Sequence, residues 1–174
     1  NGNIYEGEFK DDMKHGKGKF TYANGDVYEG DYVEGDEHGK GKITYHEGDV
    51  YEGDWKDGNF HGKGTLTETK GKNAGEVYKG TWKDGKKNGV SKRWRWDGIK
   101  EYTGRFKDDK RHGKWVNYFD NGFKKDEGKY KNNKRDGKWL EYHLDSESTS
   151  NETTYKNGNK TGEYVKYYID GRIE

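Results

Sequence analysis

YEGDWKDGNFHGKG, residues 51–64, decides the fold. Near copies stand upstream as YEGEFKDDMKHGKG (5–18) and YEGDYVEGDEHGKG (28–41). More eroded copies follow as YKGTWKDGKKNG (78–89), YTGRFKDDKRHG (102–113), DEGKYKNNKRDG (126–137) and ETTYKNGNKTG (152–162). Aligned on the central aromatic, the copies place Phe9, Tyr32, Trp55, Trp82, Phe106, Tyr130 and Tyr155 at spacings of 23, 23, 27, 24, 24 and 25. The glycines Gly16, Gly39, Gly62, Gly89, Gly113, Gly137 and Gly162 keep the same spacings. Two landmarks in step over seven copies establish a repeat.

Each repeat carries two turn signals. The first lies between the landmarks, as Asp11-Asp12, Glu34-Gly35, Asp57-Gly58, Asp84-Gly85, Asp108-Asp109, Asn132-Asn133 and Asn157-Gly158. Its second residue is always Gly, Asn or Asp, the types that tolerate the positive φ of a tight hairpin. The second closes the repeat, as in Asn24-Gly25 and Asn121-Gly122, and the 27-residue copy places its surplus there as a longer loop, KGKNAGE (70–76). Between turns the side chains alternate with period two: Tyr51, Gly53 and Trp55 share one face, Glu52 and Asp54 the other. Two strands per repeat predict about 14 antiparallel strands. Gly7, Gly30, Gly53, Gly80, Gly104 and Gly128, two residues before each landmark aromatic, leave room on that face for a neighbouring ring. One repeat cannot bury its aromatic face alone, but a stack can.

Composition agrees with this reading. Of the 174 residues 39% are charged and only 26% hydrophobic, yet 16% are aromatic. A disordered chain would be poor in aromatics, so order is expected. The absence of cysteine excludes disulfides and thiolate metal sites. No run is apolar enough to span a bilayer as a helix. Both ends read as turn-to-strand text from inside the repeat, so the chain is expected to be a fragment of a longer array. Residues 1–69 hold 8 Lys/Arg against 16 Asp/Glu, whereas residues 70–174 hold 26 against 17. The chain therefore divides into an acidic front of three repeats, 1–69, and a basic back of four, 70–174, in one continuous solenoid-like domain. That asymmetry would support self-association.

The phrase YEGxWxxGxxHGxG, about 23 residues per copy, resembles the MORN repeat family. Repeats one to three match closely, with Tyr-Glu-Gly and His-Gly-Lys-Gly intact. Repeats four to seven drift: Asn88 replaces the histidine, GKW replaces GKG at 113–115 and 137–139, and Thr153 replaces a glycine. The later form is similar to the variant repeats of bacterial proteins. The resemblance implies an all-β, elongated, twisted single sheet of antiparallel hairpins with an aromatic groove. It implies a non-catalytic scaffold that dimerises, docks protein segments, or associates with phospholipid membranes. It points to a cytoplasmic protein, with cytoskeletal or membrane association among the family's settings.

Site expectations follow from the same pattern. The partner groove is placed at Tyr28, Tyr51, Trp55, Tyr78, Trp82, Tyr102 and Phe106. Its ligand is a protein segment or peptide, with a homodimer as a further partner. The runner-up is an anionic membrane surface bound through Lys92, Arg93, Arg95, Arg105, Lys110 and Arg111. For SKRWRWDG, 91–98, the favoured reading is a plain strand with Trp94 and Trp96 in the core and solvated arginines. Nucleic acid is not the expected partner, and no cofactor, metal or catalytic residue is expected. His15, His38, His61 and His112 recur at one repeat position, about 9.5 Å apart in adjacent copies, too far to share a zinc. They are expected to support turns. Glu6/Glu8, Glu29/Asp31 and Glu52/Asp54 are read as solvated outer-face carboxylates.

Overall fold

The computed structural model describes residues 2–174, which form two compact units divided between Lys87 and Asn88. The N-terminal unit holds β1 (Ile4–Lys10), β2 (Met13–Thr21), β3 (Val27–Val33), β4 (Asp36–Thr44), β5 (Val50–Lys56), β6 (Asn59–Thr67), β7 (Val77–Lys83) and β8 (Lys86–Lys87). The C-terminal unit holds β9 (Gly89–Trp94), β10 (Lys100–Lys107), β11 (Lys110–Tyr118), β12 (Lys124–Lys131), β13 (Lys134–Tyr142), β14 (Thr149–Lys156) and β15 (Asn159–Lys166). Within each unit every strand pairs antiparallel with its sequence neighbours. The count is 15 rather than 14 because β8 stops before Asn88 and β9 resumes at Gly89. The 70–76 loop contains one turn of 3-10 helix, Gly71–Asn73.

The hairpin turns adopt the geometry that their residues predict. Both central residues have positive φ, 51° and 59° at Asp11-Asp12, and 49° and 68° at Asn132-Asn133. That is the type I′ turn, whose twist matches the strands it joins. The turns are also tied to the preceding hairpin. Gly35 N–H donates to Lys14 O at 3.0 Å, Gly58 to Glu37 O at 3.0 Å, and Gly85 to Phe60 O at 2.9 Å. In the C-terminal unit Asn133 and Gly158 donate in the same way to Arg111 and Arg135. Side chains add a second tie at the closing turns: Asp26 accepts His46 N–H and Asp49 accepts Thr69 N–H, each at 2.8 Å.

The core is a row of rings laid over glycines. Gly30 and Gly41 face each other across β3 and β4, and the Tyr28 ring lies on the space they leave. A methyl group on Gly41 would sit 2.5 Å from Tyr28 Cζ. The hydroxyl of Tyr28 donates to Asp31 O at 3.1 Å, and those of Tyr5 and Tyr51 donate to Glu8 O and Asp54 O at 2.9 and 3.0 Å. Each such tyrosine meets the landmark aromatic of its own repeat and of the next edge-on. Tyr28 lies 5.2 Å from Tyr32 and 4.9 Å from Trp55, and Tyr51 lies 5.5 Å from Trp55 and 5.1 Å from Trp82. Edge-to-face contact suits the ring quadrupoles, and each buried ring contributes about 1.5–3 kcal/mol.

In the C-terminal unit the ring comes from the other strand. Trp115 faces Gly104 across the hairpin, and its indole N–H donates to Arg105 O at 2.8 Å. Trp139 covers Gly128 and donates to Lys129 O at 3.0 Å. The acceptor is again the carbonyl one residue beyond the glycine. Trp115 meets Phe106 at 5.2 Å and Tyr130 at 5.6 Å, contacting the landmarks of two successive repeats as the tyrosines do. The GKW variant therefore exchanges the ring donor and keeps the packing. Where Trp139 supplies the ring, the tyrosine position is Asp126, buried and bonded by Arg135 at 3.1 Å and Asn117 at 2.5 Å.

Of the carboxylates expected to be solvated, Glu6, Glu29 and Glu52 are exposed, whereas Glu8, Asp31 and Asp54 have a structural role. Strand register shifts between Gly30 and Asp31, and at the equivalent points in repeats one and three. Gly39, within this bulge on β4, has φ +62°, a conformation that disfavours any side chain. Asp31 accepts Lys40 N–H at 2.9 Å, Asp54 accepts Lys63 N–H at 2.7 Å, and Glu8 accepts Lys17 N–H at 3.0 Å. Asp31 also pairs with the Lys17 ammonium of the previous repeat at 2.5 Å, and Asp54 pairs with Lys40. The Lys40 ammonium, opposed by partial burial and helped by the Lys63 N–H, holds the Asp54 carboxyl below the usual range. Burial raises Asp31, but bonds from Lys17 and the Lys40 N–H outweigh it and leave this carboxyl lowered as well.

SKRWRWDG departs from its expected alternation. β9 ends at Trp94, so Trp96 falls in the following turn and is 71% exposed rather than part of the core. Trp55→Ala should cost about 3–5 kcal/mol in urea unfolding, as for a buried ring, whereas Trp96→Ala should cost less than about 0.5 kcal/mol. Equal losses would contradict this placement. A folded pKa below the unfolded one stabilises above the ordinary aspartate pKa, and the stabilisation disappears as pH falls through the folded value. The double variant Asp31→Asn/Asp54→Asn should therefore lose stability less steeply than wild type between about pH 5 and pH 2. An unchanged slope would remove these two carboxylates from the acid response.

Candidate functional site

The strands β2, β4, β5 and β6 bring together a cleft of about 310 Å³ on the aromatic face of the N-terminal unit. Tyr22, Glu37, Ile43, Tyr45, Trp55 and Phe60 line it. Alternation explains their common side: Ile43 pairs with Tyr51, and Trp55 pairs with Phe60. Phe60 is stacked flat on Tyr51 at 3.7 Å and edge-on to Trp55 at 4.8 Å. The Trp55 indole N–H donates to Gly41 O at 3.1 Å, which fixes the ring plane. At the rim the Tyr22 hydroxyl donates to Glu37 Oε1 at 2.7 Å. Burial and then this bond to the carboxylate push the Tyr22 phenol far above its ordinary value. The cleft thus offers apolar ring surface beside one carboxylate, a combination suited to binding.

The expected groove residues are placed differently. Tyr28 and Tyr51 are 0% exposed, and Tyr78, Trp82 and Trp55 at most 7%. These five rings form the core, where each packs against a ring of its own repeat and four of them also against a ring of a neighbouring one. Tyr102 and Phe106 are half-buried against the cluster of Trp115, Tyr130 and Trp139. Of the seven, Trp55 lines the cleft. Tyr22, Ile43, Tyr45 and Glu37 were missed because they lie outside the repeated YEGxW phrase. Glu37 alone has a signal, a column: five residues after each landmark stand Lys14, Glu37, Phe60, Lys87, Arg111, Arg135 and Lys160.

Three of the six basic-patch residues are committed to internal partners. Arg93 pairs with Glu101 at 3.2 Å, and Arg95 with Asp97 and Asp120. Arg111 lies over Tyr130 at 4.4 Å and donates to its hydroxyl at 3.1 Å. Lys92, Arg105 and Lys110 are exposed, with the alkyl chain of Arg105 over Gly113. Two of the four repeated histidines stand near the next hairpin turn, but the expected turn-supporting hydrogen bond is not made at His61 or His112, whose buried Nδ1 atoms have no hydrogen-bond partner. His38 Nδ1 lies 3.6 Å from Asp57, and His61 Nδ1 lies 3.4 Å from Asp84. Asn88, in the histidine position, donates to Asp108 at 3.1 Å. Among the described residues no group of three or more His, Cys, Asp or Glu is gathered as metal ligands. No helix among them is long and apolar enough to cross a membrane.

The family model of the MORN repeat matches residues 5–27, 28–50, 51–71, 78–90, 102–114 and 127–138. No curated protein matches the chain. The β14–β15 hairpin lies beyond the six matched segments and keeps the Asn157-Gly158 turn with its bond to Arg135. With more than half of its length matched and its hairpins built on one repeated plan, the chain belongs to the MORN repeat family, a non-catalytic type of repeat found in protein- and membrane-interacting modules.

Proposed function

We propose that the chain is a non-catalytic scaffold that docks a protein segment in the cleft of its N-terminal unit. The observation that carries this reading is the contrast between buried rings and the cleft. Most of the repeat's aromatics are used up in packing, whereas Tyr22, Tyr45 and Phe60 keep half-exposed surface around a preformed hollow. Such concave apolar surface with a polar rim favours a ligand that inserts a side chain. An extended segment fits best, because the cleft crosses from one repeat to the next. The membrane alternative draws less support, since Arg93, Arg95 and Arg111 are held by neighbours.

A photoreactive benzoylphenylalanine in place of Tyr45, irradiated in extract of the source organism, tests the proposal. The expected result is a discrete polypeptide adduct that is absent when the same group replaces Lys42, an exposed residue three positions earlier in β4. Adducts at both positions alike, or to lipid alone, would contradict it.

A further inference from the structure

The column five residues after each landmark has a consistent geometry. Each residue faces its own landmark across the hairpin: Lys14 opposite Phe9, Glu37 opposite Tyr32, Arg111 opposite Phe106, Arg135 opposite Tyr130. From there the side chain leans onto the aromatic face. Lys14 Nζ stands 4.6 Å from the Phe20 centroid and 4.8 Å from that of Tyr32. Lys87 stands 4.2 Å over Tyr78, Arg111 lies 4.4 Å over Tyr130, Arg135 4.1 Å over Trp139, and Lys160 5.2 Å over Tyr164. Five of the seven repeats thus place their own cation on the ring face, where the π quadrupole attracts it.

Repeats two and three break the series. Repeat three fills the position with Phe60, stacked on Tyr51. Repeat two has Glu37, and beside it Ile43 stands where repeat one has Phe20. The consequence is the cleft: a carboxylate stands where a cation is found elsewhere, next to the rings of Trp55, Phe60, Tyr22 and Tyr45. We infer that this cleft takes a cation from outside, the lysine or arginine side chain of a docked segment. Its charged head lies over the Trp55 ring and is paired with Glu37. The inference rests on the docking role proposed above and names the chemistry of the ligand. Charge supports it, since residues 1–69 carry twice as many acidic as basic side chains. Long-range attraction would thus steer a basic segment to this unit.

Selection from a random dodecapeptide phage library against the chain, followed by NMR titration of synthetic peptides, tests the inference. The expected peptides share a central Lys or Arg and shift the Trp55 indole resonance. They should bind Glu37→Lys at least about tenfold more weakly, because that variant supplies its own cation as Lys14 does in repeat one. Glu37→Gln, which keeps the shape, should weaken binding by a smaller factor, and citrulline in place of the peptide's arginine should abolish it. Peptides that shift Trp55 but lack a cation, or bind Glu37→Lys equally well, would overturn the cation site and leave the docking role standing. If no selected peptide shifts a cleft resonance, both fail.

Discussion

An aromatic ring lying flat over a strand glycine, its polar tip bonded to the carbonyl one residue further on, is the interaction on which the rest of the structure depends. The chain has too few aliphatic side chains for a two-layer core. A single sheet can still exclude water if rings lie down on it, and rings can lie down only where no Cβ stands in the way. Gly30 and Gly41 under Tyr28, Gly104 under Trp115 and Gly128 under Trp139 meet that condition. The hydrogen bond at the ring's tip satisfies its one polar group and sets its direction, so the next landmark aromatic meets a defined edge.

Much of the remaining architecture serves that interaction. The bulge at Asp31 and Asp54 brings carbonyl and ring together, and the carboxylates close it by accepting the N–H of Lys40 and Lys63. The same carboxylates reach back to the lysines of the preceding repeat, so the bulge also joins repeats. Turn N–H groups bonded to the previous hairpin, and the Asn88 amide bonded to the following turn, add further links. Stability is thereby shared between neighbours, which is how short hairpins that cannot stand alone become a folded protein. The ring can come from either strand, and this explains how the later repeats lose the second glycine or the tyrosine without losing the packing.

The repeat, its two turns and its period-two faces were legible in the sequence because they rest on local rules that glycine, asparagine and aspartate obey one residue at a time. Two strands per repeat followed from the same rules, apart from the break at Asn88. The site was less legible. Tyr51 and Trp82 read as groove residues because aromaticity alone does not distinguish a ring that packs from one that binds. Asp31 and Asp54 read as solvated because alternation places them outward but does not reveal the bulge on the facing strand, whose N–H groups they accept. Trp96 read as core because the strand was extended past its true end at Trp94. The cleft depends on what Glu37 is not, a lysine or arginine like most of its counterparts, and that shows only when the column is set beside the geometry.

The most direct measurement is a double-mutant cycle in urea between Tyr28→Ala and Gly41→Trp. If one ring over Gly30 is what the packing requires, and either strand can supply it, each single variant loses stability and the pair recovers about 2 kcal/mol or more relative to the summed losses. The tryptophan would take the place that Trp115 holds over Gly104. Losses that simply add would show that the tyrosine and tryptophan arrangements are not interchangeable, and would contradict the account.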